Sequence, residues 1–330
     1  MKRIQTLDVF RGLAALSVIL YHYTVQYHSL YQYPFPRYMD FTYGALGVQF
    51  FFIISGFVIY MTVNQSTHWM QFLYRRFSRL YPTFWFCLIV TALAVGVLGL
   101  PGRETSLRDT LVNFTMLPRA FGVREVDGAY WSLLPEFFFY LLVAFLMGAG
   151  VIRKTYWWCS VWLVVIVLGN LLPVPSFIKG LLNIHWGMFF IIGIMLYHIK
   201  NKETRTIVPH VLIVLCYAAT LLILSSVVEA LLVAAIVVIF YLFVYEKLNW
   251  ICYKPLVFLG RISFPLYLLH QNLGYILMNH IRPLFGGSPL IILPPILFSI
   301  GLATLVHFFI EKPSQRFLRD KFLSAQPSLA

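Results

Sequence analysis

Apolar residues along this chain come in long unbroken runs rather than the short periodic stretches of a soluble fold. A helix that crosses a bilayer needs about 20 mostly apolar residues. Runs of that kind fall at 7–28, 45–63, 81–100, 129–149, 156–172, 181–199, 208–226, 228–245, 256–280 and 289–310. Turn and helix-stop residues separate them: Pro34 and Pro36, Pro101-Gly102, Pro173 and Pro175, Pro209, and Gly286-Gly287. The boundary near Ser225-Ser226 is the least marked, and a re-entrant segment there would change the number of spans by one. The pattern predicts an all-α integral membrane bundle of about ten transmembrane helices. It shows no soluble domain, internal repeat or low-complexity tract.

Basic residues give the bundle a direction. With the amino terminus in the cytoplasm and the spans alternating, 17 of the 25 Lys and Arg residues fall inside and seven outside. Arg11, within the first span, completes the set. The positive-inside tendency then predicts that both termini are cytoplasmic. The opening Met1-Lys2-Arg3 and its apolar sequel look like a signal peptide. However, no A-x-A-like cleavage site follows, and Asp8 and Arg11 interrupt the run, so it reads as a retained first helix.

Composition agrees. The 330 residues are 60% hydrophobic and only 11% charged, against about 25% charged in soluble domains. Aromatics reach 18%, which suits the two membrane–water interfaces. The net charge of +13 is spread over several short loops, so nucleic acid is not an expected partner. Cys87, Cys159, Cys216 and Cys252 lie in or beside apolar runs with no CxxC pairing, as buried thiols do. No H-E-x-x-H set, G-x-S-x-G elbow or Walker loop is present, so no metal and no permanently bound cofactor is expected.

Ionisable residues at membrane depth cost about 2.5–3.5 kcal/mol each on insertion scales, so those that persist mark function. The first helix carries Asp8, Arg11 and His22. Eleven residues separate Arg11 from His22, which is three turns plus about 20°, so they share a face about 16 Å apart along the axis. A cation at one end and a base at the other would frame a long donor, such as the pantetheine arm of coenzyme A. Alternatively, Arg11 snorkels to headgroups and His22 is a satisfied bundle histidine. Before the third helix, Arg76 and Arg79 are i,i+3 neighbours suited to phosphate oxygens, or else a plain topology signal. Glu136, bordered by aromatics at the start of the fourth helix, should face inward with a partner. By depth His22 is the candidate, with a backbone donor or an indole as the alternative. His270, in the ninth helix, reaches the same depth and could flank one cavity with His22. Ser55-Gly56, in mid-helix, reads as close helix packing. His185, His198, His210, His280 and His307 read as solvated or capping residues near the interfaces. The charged stretch 103–127, in which acids alternate with Arg, reads as a solvated outer loop.

Together these residues resemble the acyltransferase-3 membrane family. Asp8-Val9-Phe10-Arg11 with His22 is similar to its opening Arg-x10-His signature. Phe51–Phe57 resembles its FF-x-x-SGF segment, and Arg76-Phe77-Ser78-Arg79 its RxxR motif. Trp131-Ser132-Leu133 with Glu136 resembles WSL-x-x-E, Ser263–His270 resembles SY-x-x-YL-x-H, and Glu311-Lys312-Pro313 resembles an E-x-P ending. The departures are Phe264, where Tyr is frequent, and the Pro265 that follows it. These motifs span residues 8–313, leaving 314–330 as a short cytoplasmic tail with no room for the SGNH hydrolase-like domain of some members.

The resemblance implies an enzyme of a bacterial cytoplasmic (inner) membrane. It would move an acyl group, usually acetyl, from acyl-CoA to a hydroxyl of a glycan or lipid-linked saccharide, for example in polysaccharide modification. Arg76 and Arg79, with Arg11, would hold the donor. His22 would act as general base or transient acyl carrier, with Glu136 orienting it. Trp131, Ser132 and His270 would position the acceptor or donate to the developing oxyanion. A multi-pass transporter of a glycan or lipid precursor is the rival reading, although the inverted repeats frequent in such folds are not seen.

Overall fold

The computed structural model describes residues 4–63, 68–201, 206–224 and 226–324. Lys2, Arg3, Lys202, Arg205 and Ser225, used in the sequence arguments, lie outside the described residues, as does the end of the tail. Among the described residues the chain is helical throughout and has no strand. In chain order the helices are α1 (Gln5–Tyr21), α2 (Tyr27–Tyr31), α3 (Gly47–Val63), α4 (Trp69–Leu98), α5 (Leu107–Asn113), α6 (Leu133–Gly148), α7 (Thr155–Leu171) and α8 (Ser176–Leu181). They continue with α9 (Gly187–Lys200), α10 (Val208–Thr220), α11 (Val227–Val244), α12 (Lys254–Arg261), α13 (Ser263–Phe285), α14 (Leu293–Val306) and α15 (Lys312–Ser324).

Five helical stretches are long and apolar enough to cross a membrane: Thr42–Val63, Trp69–Leu98, Gly128–Gly148, Val227–Val244 and Pro289–Lys321. Thr155–Leu171, Gly187–Lys200 and Val208–Thr220 are shorter apolar helices. The runs at 7–28 and 256–280 are helical too, the second broken once at Ile262. Val97 (81% exposed), Phe145 (70%) and Leu297 (70%) point outward. So much apolar surface on helix flanks belongs against lipid rather than water. The chain is therefore an all-α integral membrane protein. Two boundaries shift from the sequence expectation. α9 begins only at Gly187, after a run of turns, and α10 ends at Thr220. The break before α11 is real, because Ser226 caps that helix by accepting from the Glu229 N–H at 3.1 Å.

The chain divides into two compact units. The first comprises Met1–Phe10, Leu46–Leu73 and Leu133–Val257. Its centre is α9, in which Met188 through Ile192 are fully buried. α3 and α9 meet backbone to backbone, since a Cβ on Gly56 would lie 2.1 Å from the Phe190 carbonyl oxygen and one on Gly193 2.1 Å from that of Ile53. The packing reading of Gly56 is what the structure shows. Phe139 stacks on Phe190 at 4.4 Å between ring centroids and fills the space beside this crossing.

The second unit comprises Arg11–Ala45, Tyr74–Ser132 and Phe258–Ala330. Here α1 does not end where it meets α2. A π turn over His22–Gln26 joins them into one helical run, closed by Gln32 in the left-handed conformation at φ 51°. The amino-terminal half of α13 is buried nearly throughout, and Tyr23 packs on Gly274, where a Cβ would meet the phenol oxygen at 2.1 Å. A second π turn, His307–Glu311, links α14 to α15.

Candidate functional site

The site in the second unit is built where the π turn faces α13. A π turn widens the helix by one residue and is common where a side chain must be aimed. It starts at His22, whose carbonyl accepts from Tyr275 Oη at 3.2 Å. His22 Nδ1 lies 2.6 Å from His270 Nε2, and the two rings are nearly parallel, 9° apart. His270 is fully buried and His22 nearly so. His270 Nδ1 lies 2.8 Å from the Tyr267 carbonyl oxygen.

This chain of contacts assigns the protons. A carbonyl can only accept, so His270 Nδ1 carries the hydrogen. In the neutral ring His270 Nε2 is then a bare acceptor, and His22 Nδ1–H donates to it. The lone pair of His22 is left on Nε2, the arrangement of a general base oriented by a second group. Around the pair, Tyr23 Oη donates to the His270 carbonyl at 2.6 Å. Gln271 Nε2 donates to Gln26 Oε1 at 3.0 Å.

The other predicted residues fall as follows. Arg11 lies half-buried on α1, in the same helical run as His22. Arg76 and Arg79 share α4; Arg76 is buried and Arg79 half-buried, whereas Arg75 is exposed. A buried guanidinium is costly to desolvate. Ser132 is buried, lies 2.8 Å from the Tyr267 phenol and donates to the Ala129 carbonyl at 3.2 Å. Tyr267 Oη is therefore the donor to Ser132. Trp131 is half-buried in the same turn, Gly128–Ser132. Glu136 belongs to the first unit, where its Oε1 accepts from Tyr140 Oη at 2.6 Å and from Ser55 Oγ. Ser55 is thus a polar partner of Glu136 rather than only a packing residue. The orienting bond to His22 Nδ1, expected from Glu136, comes from His270.

Three further readings change. Asp127 is not part of a solvated loop: it is fully buried, and its carboxylate accepts from the backbone N–H of Ala129 and of Asn272, each at 2.9 Å. Burial pushes its carboxyl up to about 6 against the opposing pull of those two N–H groups. His307 is buried and bonded to Glu311 at 2.6 Å, and His198 is buried as well, so neither is solvated. Among the described residues no group of three or more His, Cys, Asp or Glu could hold a metal ion.

Sequence reasoning missed Gln271 and Asp127. Gln271 follows His270 directly in the quoted segment, which was the available signal. Nothing in the spacing of Asp127 singles it out.

Comparison with known proteins places the chain in a family. The family model Acyl_transf_3, described as an acyltransferase domain, matches residues 4–310. Acyltransferase MdmB of Streptomyces mycarofaciens is 30% identical over 173 residues, covering 48% of this chain and 43% of that protein. Peptidoglycan O-acetyltransferase OatA of Listeria monocytogenes serovar 1/2a (strain ATCC BAA-679 / EGD-e) is 29% identical over 160 residues, covering 43% of this chain and 24% of that protein. The matched part thus spans less than half of either relative. No solved structure matches. With a family match running through nearly its whole length, this chain belongs to the acyltransferase-3 family.

Proposed function

We propose that this protein is an integral membrane O-acyltransferase that uses acyl-CoA, with acetyl the expected group, to acylate a hydroxyl of a glycan or lipid-linked saccharide. The observation that carries the reading is the His22–His270–Tyr267 chain, which leaves a lone pair on His22 Nε2. The family match and the O-acetyltransferase relative support the reaction class, and the peptidoglycan acceptor named for that relative supports a saccharide.

In the proposed reaction, His22 Nε2 takes the proton of the acceptor hydroxyl as its oxygen attacks the thioester carbonyl. The C–S bond then breaks, and the coenzyme A sulfur leaves and takes the proton back from the imidazolium. In the variant, His22 Nε2 itself attacks the thioester, coenzyme A departs as the thiolate, and the acyl group passes from the imidazolium to the hydroxyl oxygen, whose proton goes to the thiolate. Arg76 and Arg79 serve the donor's phosphates, and Arg11, on the His22 helix, lies along its arm. Ser132 and Trp131 serve the acceptor or the oxyanion. Glu136 stays a candidate on its motif, and Glu136→Gln tests it in the same assay. The proposed setting is a bacterial inner membrane with both termini cytoplasmic.

The test is purified protein with radiolabelled acetyl-CoA, with and without a glycan and lipid-linked-sugar extract of its host. Label should pass to a sugar fraction and fail to do so in His22→Ala. Unchanged transfer by a folded His22→Ala protein would sink the role of His22. Absence of both transfer and acetyl-CoA binding would favour the transporter.

A further inference from the structure

The charged stretch 102–128 lines a half-open cavity of about 370 Å³ within the second unit. It is lined by Arg103, Arg119 and Arg124, by Glu104 and Glu125, and by Gly128. Its cations are not equivalent. Arg119 is tied to Glu125 at 2.5 Å, whereas Arg103 and Arg124 form no ion pair among the described residues. The walls are fixed rather than loose. Buried Asn113 donates to the Arg124 carbonyl at 3.0 Å and accepts from the Val126 N–H at 3.0 Å. Asp127 pins the next residues to α13.

Gly128 is the thin wall of this cavity. A Cβ there would lie 2.9 Å from Gln271 Oε1 and 3.0 Å from a terminal nitrogen of Arg103. The guanidinium and the amide therefore converge over one glycine. Gln271 is 1% exposed, and its Oε1 has no hydrogen-bond partner. A buried amide oxygen without a donor is costly, which marks this corner as polar. Gln271 is the residue after His270, and its Nε2 donates at 3.0 Å to Gln26, in the turn that His22 opens.

We infer that this cavity is the acceptor subsite, and that it takes a saccharide carrying an oxyanion, with the anion on Arg103 and Arg124 and sugar hydroxyls on the Glu104 carboxylate that lines the same cavity. Two unpaired guanidiniums match a planar carboxylate or a phosphate, and the Glu104 carboxylate and Gly128 backbone that line the same cavity match a polyol. The inference rests on the acyltransferase reading, which supplies the word acceptor, but the binding it claims does not require turnover.

Binding is therefore measured without acetyl-CoA, by titration calorimetry on the full-length protein in detergent. The probes are glucuronic acid, glucose 1-phosphate and glucose. One or both anionic sugars should bind at least tenfold more tightly than glucose, and which of them does so tells a uronate from a sugar phosphate. Arg103→Gln should remove that preference, and Arg124→Gln, at an exposed position, should weaken it several-fold without threatening the fold. Equal affinities for all three sugars, no binding by any, or an unchanged preference in both variants would overturn the subsite. If the preference holds and no transfer is ever seen, the enzymatic reading fails and the site stands. If transfer is seen and the preference is absent, the site fails and the enzyme stands.

Discussion

Removal of His270 separates a positioning role from a packing role. In the wild type, His22 Nδ1–H donates across 2.6 Å to His270 Nε2 within a buried pair. His270→Ala leaves that N–H without an acceptor, which costs about 1–3 kcal/mol of stability. It also lets the proton move to Nε2, so the lone pair needed for catalysis is no longer held in place. A positioned general base contributes about 10²–10⁴-fold, or roughly 3–5 kcal/mol of barrier. The expected fall in kcat is about 10²–10³-fold, with KM for acetyl-CoA little changed. His270→Gln supplies the discriminating arm. A Gln Oε1 reaches the place of Nε2 and can accept from His22, whereas an Asn oxygen stops at the place of Nδ1. Initial rates of radiolabelled acetyl transfer should thus recover about tenfold in His270→Gln relative to His270→Ala, and not in His270→Asn. Folding is followed in parallel by gel filtration and thermal melting. A folded His270→Ala protein with kcat within about threefold of wild type would refute the reasoning. Equal rates in the Gln and Asn variants would do the same.

The remaining predictions concern the donor site, the helix crossing and pH. Arg76→Ala and Arg79→Ala should each raise the Kd for acetyl-CoA about tenfold or more, as loss of a charge-assisted bond does; unchanged calorimetric affinity would make them topology signals. Gly193→Leu should lower Tm steeply, because its Cβ alone would lie 2.1 Å from the Ile53 carbonyl oxygen, and overpacking of this kind costs about 1–3 kcal/mol or more; an unaltered melt would mean that the α3–α9 crossing can spread. Asp127 has its carboxyl raised from 3.8 to about 6. A raised acid binds its proton more tightly when folded, so its stabilising contribution is complete below pH 4 and lost as pH rises through 6, a change on the order of 3 kcal/mol. The difference between wild type and Asp127→Asn in unfolding free energy, measured from pH 4 to pH 7, should follow that slope; a flat difference would contradict it.

The spans and most of the site were legible because membrane residues obey simple demands. Ten apolar runs had to become helices, since backbone groups in lipid must pair within their own segment. His22 and His270 stood out because polar side chains are scarce at that depth. The direct bond between them was not legible, because it depends on the π turn, which no local pattern announces. Asp127 was misread because its neighbour Arg124 is a surface charge and the acid itself turns inward to two backbone N–H groups. Arg103 was passed over for the same reason: charge alternation describes a solvated face until the fold lines a cavity with it.

The π turn has a consequence for how this helix can change over evolutionary time. One extra residue sets the phase of everything beyond it by about 100° relative to an uninterrupted α-helix. Tyr27 and Tyr31 lie beyond the turn, where Tyr27 Oη donates to Asn279 at 2.8 Å and the Tyr31 carbonyl accepts from Arg282 at 2.9 Å. Arg11 and His22 lie before or at it. Deleting one residue within 23–26 and restoring α-helical pairing removes both the extra residue and the offset that absorbed it, so both tyrosines keep facing their partners and the spacing of Arg11 and His22 is untouched. The turn is therefore a slack link between the two ends of one helix. It lets the chain hold one more residue at His22 without re-aiming either the Arg11 end or the tyrosine end.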